Sequence, residues 1–208
     1  PLLRDLIIEN NTALNGAGIN LYNSASPNIE NCIIRNNQAI YPDPSGKWAA
    51  GRGGGISADD YDGTMKNVLF AENSSESGGA LGISNWDTTR PVNIVNCTFV
   101  NNYSSGFEKG DIYLTGGNTL NITNSIIWDN IYINTLNGTV TLNIENSLIQ
   151  GGYSGDGNID VDPLFCDTTS YTLYATSPAV GAGENGVNMG AMGVGCDVPL
   201  SFTWVTPS

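Results

Sequence analysis

The sequence predicts an all-β chain wound as a parallel β-helix, a single-stranded solenoid of about six coils finished by a loop-rich C-terminal cap. Three observations predict it. The phrase "NCIIRNN" at 31–37 recurs as "NVLFAENS", "NCTFVNN", "NSIIWDN" and "NSLIQGG". Apolar residues stand at fixed offsets on either side of the phrase, and a corner, often rich in glycine, follows before a further alternating stretch.

Aligned on the first position of the phrase, the anchors are Asp5, Asn31, Asn67, Asn96, Asn124 and Asn146. Their intervals are 26 (5 to 31), 36 (31 to 67), 29 (67 to 96), 28 (96 to 124) and 22 (124 to 146) residues, a solenoid-like spacing in which insertions hang on a constant frame. Two places before the anchor stand Leu3, Ile29, Met65, Ile94, Ile122 and Ile144, and three places after it Ile8, Ile34, Phe70, Phe99, Ile127 and Ile149. Both columns are expected inside. Residues one before and four after the anchor are mostly polar, as with Arg4, Glu30, Lys66, Thr123 and Glu145, or Glu9, Arg35 and Gln150, and are expected to face water. This is the two-residue alternation of a strand, bent at an anchor whose Asn tolerates unusual backbone angles.

Six places after the anchor comes Asn11, Asn37, Asn73, Asn102, Asn130 and then Gly152. Coils stack about 4.8 Å apart, so identical amides can bond above and below, and a ladder is expected through Asn37, Asn73, Asn102 and Asn130. A third strand follows, with inward pairs Ile19/Leu21, Ile56/Ala58, Leu81/Ile83, Ile112/Leu114, Ile131/Ile133 and Ile159/Val161. Glycines in "GAGI", "GGGI" and "GGAL" allow the tight corner before it. A β-sandwich also alternates, but it does not demand one residue type at one offset in coil after coil.

Composition narrows the function. Seven Lys and Arg against 20 Asp and Glu give a net charge of −13, which repels phosphate backbones and anionic membranes and argues against nucleic acid as a partner. No apolar run approaches a membrane span, so no membrane insertion of this segment is expected. The chain has no histidine, which removes Ser-His-Asp triads, His-ligated zinc and imidazole bases together.

The "GGAL" and "NCTFVNN" pairing resembles the GGA[IL] and FxxN repeats of polymorphic outer membrane proteins and related right-handed β-helix proteins. The ending "VDPLFCDTTSYTLYATSPAVGAGENGVNMGAMGVGC" is similar to the closing segment of bacterial surface β-helix proteins of the choice-of-anchor Q kind. Together these cover nearly the whole chain. The resemblance implies export to the extracellular space or the bacterial outer surface through a C-terminal sorting domain, often of type IX secretion, which lies beyond this sequence. It implies no defined catalytic residues.

Cys32 and Cys97 share one inward column with Val68 between them, so they should stand about 9.6 Å apart, beyond disulfide reach, as buried thiols. Cys166 and Cys196 fall in the closing segment, where a disulfide is expected to tie a loop-rich cap; the alternative is a second pair of inert thiols. Residues 1–162 are read as the coils, truncated at the N-terminus, 163–198 as the closing segment, and 199–208 as a linker, the whole being part of a longer polypeptide.

Outward residues of the third strand, Asn20, Ser57, Gly82, Tyr113, Tyr132 and Asp160, form a largely polar floor. The second coil carries a long insertion before this strand, displaying Tyr41, Trp48 and Arg52, while "DDYDG" brings Asp59, Asp60, Tyr61 and Asp62, and "NWDTTR" brings Trp86 and Asp87. Aromatic rims over a polar floor suit sugar rings, so Trp48, Trp86, Tyr61, Tyr113, Arg52 and Asp87 are the candidate ligand-binding residues. The bland alternative is that the tryptophans pin their own loops. No cofactor is expected: Asp59, Asp60 and Asp62 could bind calcium, but a solvated acidic turn is the commoner arrangement. The favoured reading is a non-catalytic extracellular module, an adhesin, stalk or glycan-binding surface whose partner is a glycan or a surface protein. The rival is a polysaccharide lyase or glycoside hydrolase, for which only the aspartates of this rim, with Arg52 as a base, offer chemistry.

Overall fold

The structure is a computed structural model that describes residues 1–40, 51–85, 91–106, 110–117, 119–134 and 138–197. Four parallel sheets run along a solenoid. Sheet 1 stacks Leu2–Arg4, Asn28–Glu30, Thr64–Lys66, Pro91–Val95, Thr119–Thr123 and Thr141–Glu145, and sheet 2 stacks Ile7–Glu9, Ile33–Arg35, Leu69–Ala71, Thr98–Val100, Ile126–Trp128 and Leu148–Ile149. Sheet 3 holds Thr12–Ala13, Gln38–Ala39, Ser74–Ser75 and Tyr103–Ser104, and sheet 4 holds Ile19–Leu21, Ile56–Asp59, Leu81–Asn85, Ile112–Gly116 and Ile131–Asn134. This is the expected parallel β-helix with one strand more per turn: the Asn corner opens into a two-residue strand in the first four coils. Among the described residues no helix is long and apolar enough to cross a membrane.

The bend between sheets 1 and 2 follows from backbone chemistry. Every anchor, from Asp5 to Asn146, has φ between 49° and 57°, the left-handed region where Asn and Asp meet the least resistance among residues with a Cβ. The bend turns the residues on both sides into register. Leu3, Ile29, Met65, Ile94, Ile122 and Ile144 pair in order across sheet 1, and Ile8, Ile34, Phe70, Phe99, Ile127 and Ile149 across sheet 2. These columns, with those of sheet 4, make the principal core, in which Phe70 and Phe99 stack with centroids 4.6 Å apart. Cys32 and Cys97 are buried free thiols, and burial pushes the Cys97 thiol up to about 12.

The amides of the corner column bond as a row. Asn11 Nδ2 donates to Asn37 Oδ1, Asn37 Nδ2 to Asn73 Oδ1 and Asn73 Nδ2 to Asn102 Oδ1, at 2.9 to 3.0 Å, and each backbone N–H donates to the same oxygen as its amide. Each Nδ2 also donates to an inner carbonyl of the coil above: Asn37 to Ile8, Asn73 to Ile34, Asn102 to Phe70. Asn130 is not the next rung. It is exposed, and Asp129 takes the place, receiving Asn102 Nδ2 at 2.6 Å. The reason is chain length: the fifth coil passes from Trp128 to Ile131 with no sheet 3 strand, so the left-handed residue that precedes the ladder elsewhere (Asn10, Asn36, Glu72, Asn101) is dropped and the column moves back by one.

Three further expectations are corrected. Ile159 and Val161 form no sixth strand of sheet 4, since Ile159 bridges Leu148 and Val161 is exposed. Asp160 therefore leaves the floor and accepts the N–H of Gly151. Finally, the column four past the anchor does not simply face water. Glu9 and Arg35 stay partly exposed and pair with each other, but Ala71 and Val100 are buried, because the outer face of sheet 2 turns apolar from the third coil downward and must be covered.

What covers it is the closing segment, which lies along the side of the solenoid. Leu173, Ala179 and Met189 pack on Ile126 and Leu148, and Tyr171 packs on Leu69, Ala71 and Val100. Gly190 N–H donates to Asn124 O and Ala191 N–H to Thr98 Oγ1, while Thr169 O receives Arg35 of the second coil. Tyr171 hydroxyl donates to Glu72 and accepts from Asn101. Cys166 and Cys196 are disulfide-bonded, and Leu173–Tyr174 pairs in parallel with Val194–Cys196.

Candidate functional site

The outward residues of sheet 4 do align as expected, in the order Asn20, Ser57, Gly82, Tyr113 and Tyr132. They do not form an open floor. Ser57 is 2% exposed and Tyr113 7%, and the next outward pair, Ser84 and Thr115, is buried too. Tyr113 and Tyr132 lie parallel with ring centroids 6.0 Å apart. Arg52 crosses this face: a methyl group at Gly82 would stand 2.4 Å from its Cγ, its Nε donates to Ser57 Oγ at 3.4 Å, and its guanidinium pairs with Asp59 at 2.5 Å. The glycine at 82 is thus where the arginine stem passes.

That geometry places several of the candidates. The Arg52 guanidinium is held by a carboxylate. Asp59 is the partner it holds. Tyr61 is not on the rim but is a fully buried plug: its hydroxyl donates to Pro27 O at 2.9 Å, and its backbone exchanges two bonds with the Asn85 amide. Burial raises its phenol well above the usual range. Its sequence neighbours Asp60 and Asp62 made it look exposed, but Asp60 is a left-handed turn residue, φ 51°, that swings Tyr61 inward. Asp59, Asp60 and Asp62 do not converge: among the described residues no group of three or more acidic or Cys side chains is placed to hold a metal ion. Trp48, Trp86 and Asp87, with Tyr41, lie outside the described residues.

Sequence reasoning missed a second cluster, at the foot of the amide ladder. Asp129 and Asp111 are both buried, 8% and 5% exposed. Asp111 stands in line with Gly18, Gly55 and Ala80, where the upper coils keep small residues against the ladder: a methyl on Gly55 would lie 3.3 Å from Asn73 Nδ2. Its Oδ2 accepts Asn130 N–H at 3.2 Å, and its Oδ1 has no hydrogen-bond partner. Burial pushes Asp129 up to about 7, with the Asp111 charge adding to the rise and the Asn102 amide opposing it. Burial likewise raises Asp111. The available signal was the missing sheet 3 strand, legible as the short run from Trp128 to Ile131.

Comparison with protein-family models, with curated proteins and with solved structures finds no match for this chain.

Proposed function

We propose that this chain is a non-catalytic β-helix module of a bacterial cell-surface or secreted protein, a stalk or adhesive surface of the choice-of-anchor Q kind exported by a type IX-like route. One observation carries the reading: on the face on which a β-helix hydrolase or lyase would lay a polysaccharide, Ser57 and Tyr113 are buried and Arg52 crosses over Gly82 to pair with Asp59, so the two charged groups neutralise each other. The disulfide Cys166–Cys196 supports an oxidising, extracytoplasmic setting. The strong negative charge keeps such a surface soluble and away from anionic lipid.

A ligand of such a module, a glycan or a surface protein, is met by side chains on its loops, for which Trp48, Trp86 and Asp87 are the sequence candidates. A screen of neutral and acidic polysaccharides for both retention and cleavage tests the proposal. Retention without cleavage, reduced in the Trp48→Ala/Trp86→Ala variant, is the expected result. New reducing ends or unsaturated products that vanish in an Asp60→Asn variant would replace it with the lyase or hydrolase reading.

A further inference from the structure

The amide ladder has a polarity that its last rung breaks. Each Asn above accepts two bonds on Oδ1 and donates from Nδ2 to an inner carbonyl, in the series Ile8, Ile34, Phe70. The next residue in that column is Phe99, so its carbonyl is the acceptor the series calls for next. At that level stands Asp129, whose two oxygens already receive the N–H and amide of Asn102, and a carboxylate has nothing to donate. We propose that Asp129 closes the ladder as a neutral acid, its proton supplying the donor an amide would supply, and that loss of this proton loosens the lower coils, making the foot of the solenoid pH-responsive.

The surroundings favour the proton. Among the described residues, the groups acting on Asp129 are the Asp111 carboxyl from the corner before sheet 4, the Asn102 amide from the coil above, and Tyr171 from the closing segment, itself bonded to Glu72. None of these is a cation. The described arginines are engaged elsewhere, Arg4 with Glu30, Arg35 with Glu9 and Arg52 with Asp59, and Lys66 is exposed on sheet 1. Asp111 Oδ1 stands buried without a partner, so a second negative charge beside it is disfavoured. A cavity of about 250 Å³, lined by Asp129, Asn130, Ile131, Leu142 and Tyr153, lies below and gives the proton an exit.

The sign follows from linkage. Burial holds the folded-state carboxyl near 7 against an ordinary value near 3.8 in the unfolded chain, so the stabilisation is complete below about pH 4, is lost as pH rises, and levels off once pH has passed about 7. Ordinary carboxylates finish titrating below about pH 5.5, and the chain has no histidine, so the window from 5.5 to 7 is left to the buried carboxyls at the foot of the ladder, Asp129 and its neighbour Asp111.

The test is thermal unfolding of the full chain from pH 5.5 to 8.5 for the parent, Asp129→Asn and Asp111→Asn, with hydrogen exchange of residues 126–149. The parent's unfolding constant should rise by up to tenfold per pH unit to about pH 7 and then flatten, with exchange rising in the lower coils first. Asp129→Asn, which carries a permanent donor, should be flat across the window and more stable than the parent at pH 8.5. Asp111→Asn, which removes a charge that raises Asp129, should shift the transition downward in pH. A parent with no pH dependence in this window, or an Asp129→Asn variant that keeps the parent's slope, overturns the proposal. Carboxyl-carbon NMR of the parent decides independently of any variant: a midpoint for Asp129 near 7 supports it, and one near 4 overturns it.

Discussion

In the coils, Ile34, Phe70, Phe99 and Ile127 stand directly over one another, each bonded through its strand to the rung above and below. The closing segment has one short parallel pairing, one disulfide, and a set of unlike contacts to five different coils. The two regions meet on the outer face of sheet 2, where Leu69, Val100 and Ile126 belong to the coils but are buried by Tyr171, Met189 and their neighbours. A solenoid distributes its stability over nearest-neighbour rungs, so local damage spreads along the stack. A strap held at a few points should fail as a unit and leave the stack standing.

The largest expected effect tests the stack. Phe99→Ala removes a fully buried ring stacked on Phe70 and should cost about 4 kcal/mol, lowering the thermal midpoint of the whole chain in a single transition. Two separate transitions would show that the coils above and below melt independently. Next in size is the strap's tie. Removing Cys166 and Cys196 together, separated by 30 residues, should cost about 3.5 kcal/mol in the chain-entropy model, seen as early proteolysis confined to residues 163–197. Proteolysis that begins in the coils would mean that strap and stack are one cooperative unit.

The ladder comes third. Asn73→Leu leaves Ile34 O and the groups of Asn37 and Asn102 without their partner and should cost about 3 kcal/mol by denaturant unfolding, whereas a surface amide such as Asn143 replaced by Ser should cost almost nothing. The smallest effect sharpens the junction. Tyr171→Phe removes bonds to Glu72 and Asn101 and should cost about 1 kcal/mol, with faster hydrogen exchange in 169–174 and none in sheet 1. Burial and the Glu72 bond hold the Tyr171 phenol up to about 12, so the parent contact should persist through pH 9.

The coils were legible because repetition converts a weak signal into a strong one: one Ile proves nothing, but six apolar residues at one offset from an Asn fix an inward column. The same repetition is misleading at Asn130, because the fifth coil lacks a strand and the constant offset no longer holds, and at Ile159 and Val161, which mimic a pair after the solenoid has ended. The candidate floor was aligned as expected but its openness was not readable, since nothing in the sequence says that Arg52 lies over Gly82 to reach Asp59. Tyr61 shows the same limit: its inward direction depends on a single left-handed residue before it. The strap's course was hidden because its contacts join residues about 60 to 135 positions apart, though the apolar drift from Arg35 to Ala71 and Val100 was a trace of it.

The claim that the closing segment straps the side of a parallel stack is tested most directly by hydroxyl-radical footprinting read by mass spectrometry. Ile7 and Leu69 occupy the same column of sheet 2, the first 63% exposed and the second fully buried by the strap. In the intact protein Ile7 should be labelled, while Leu69, Val100, Ile126 and Met189 are protected. Reduction of the disulfide should open those four and leave Ile34, Phe70 and Phe99 dark. Labelling of Leu69 and Val100 as strong as that of Ile7 in the oxidised protein would contradict the account.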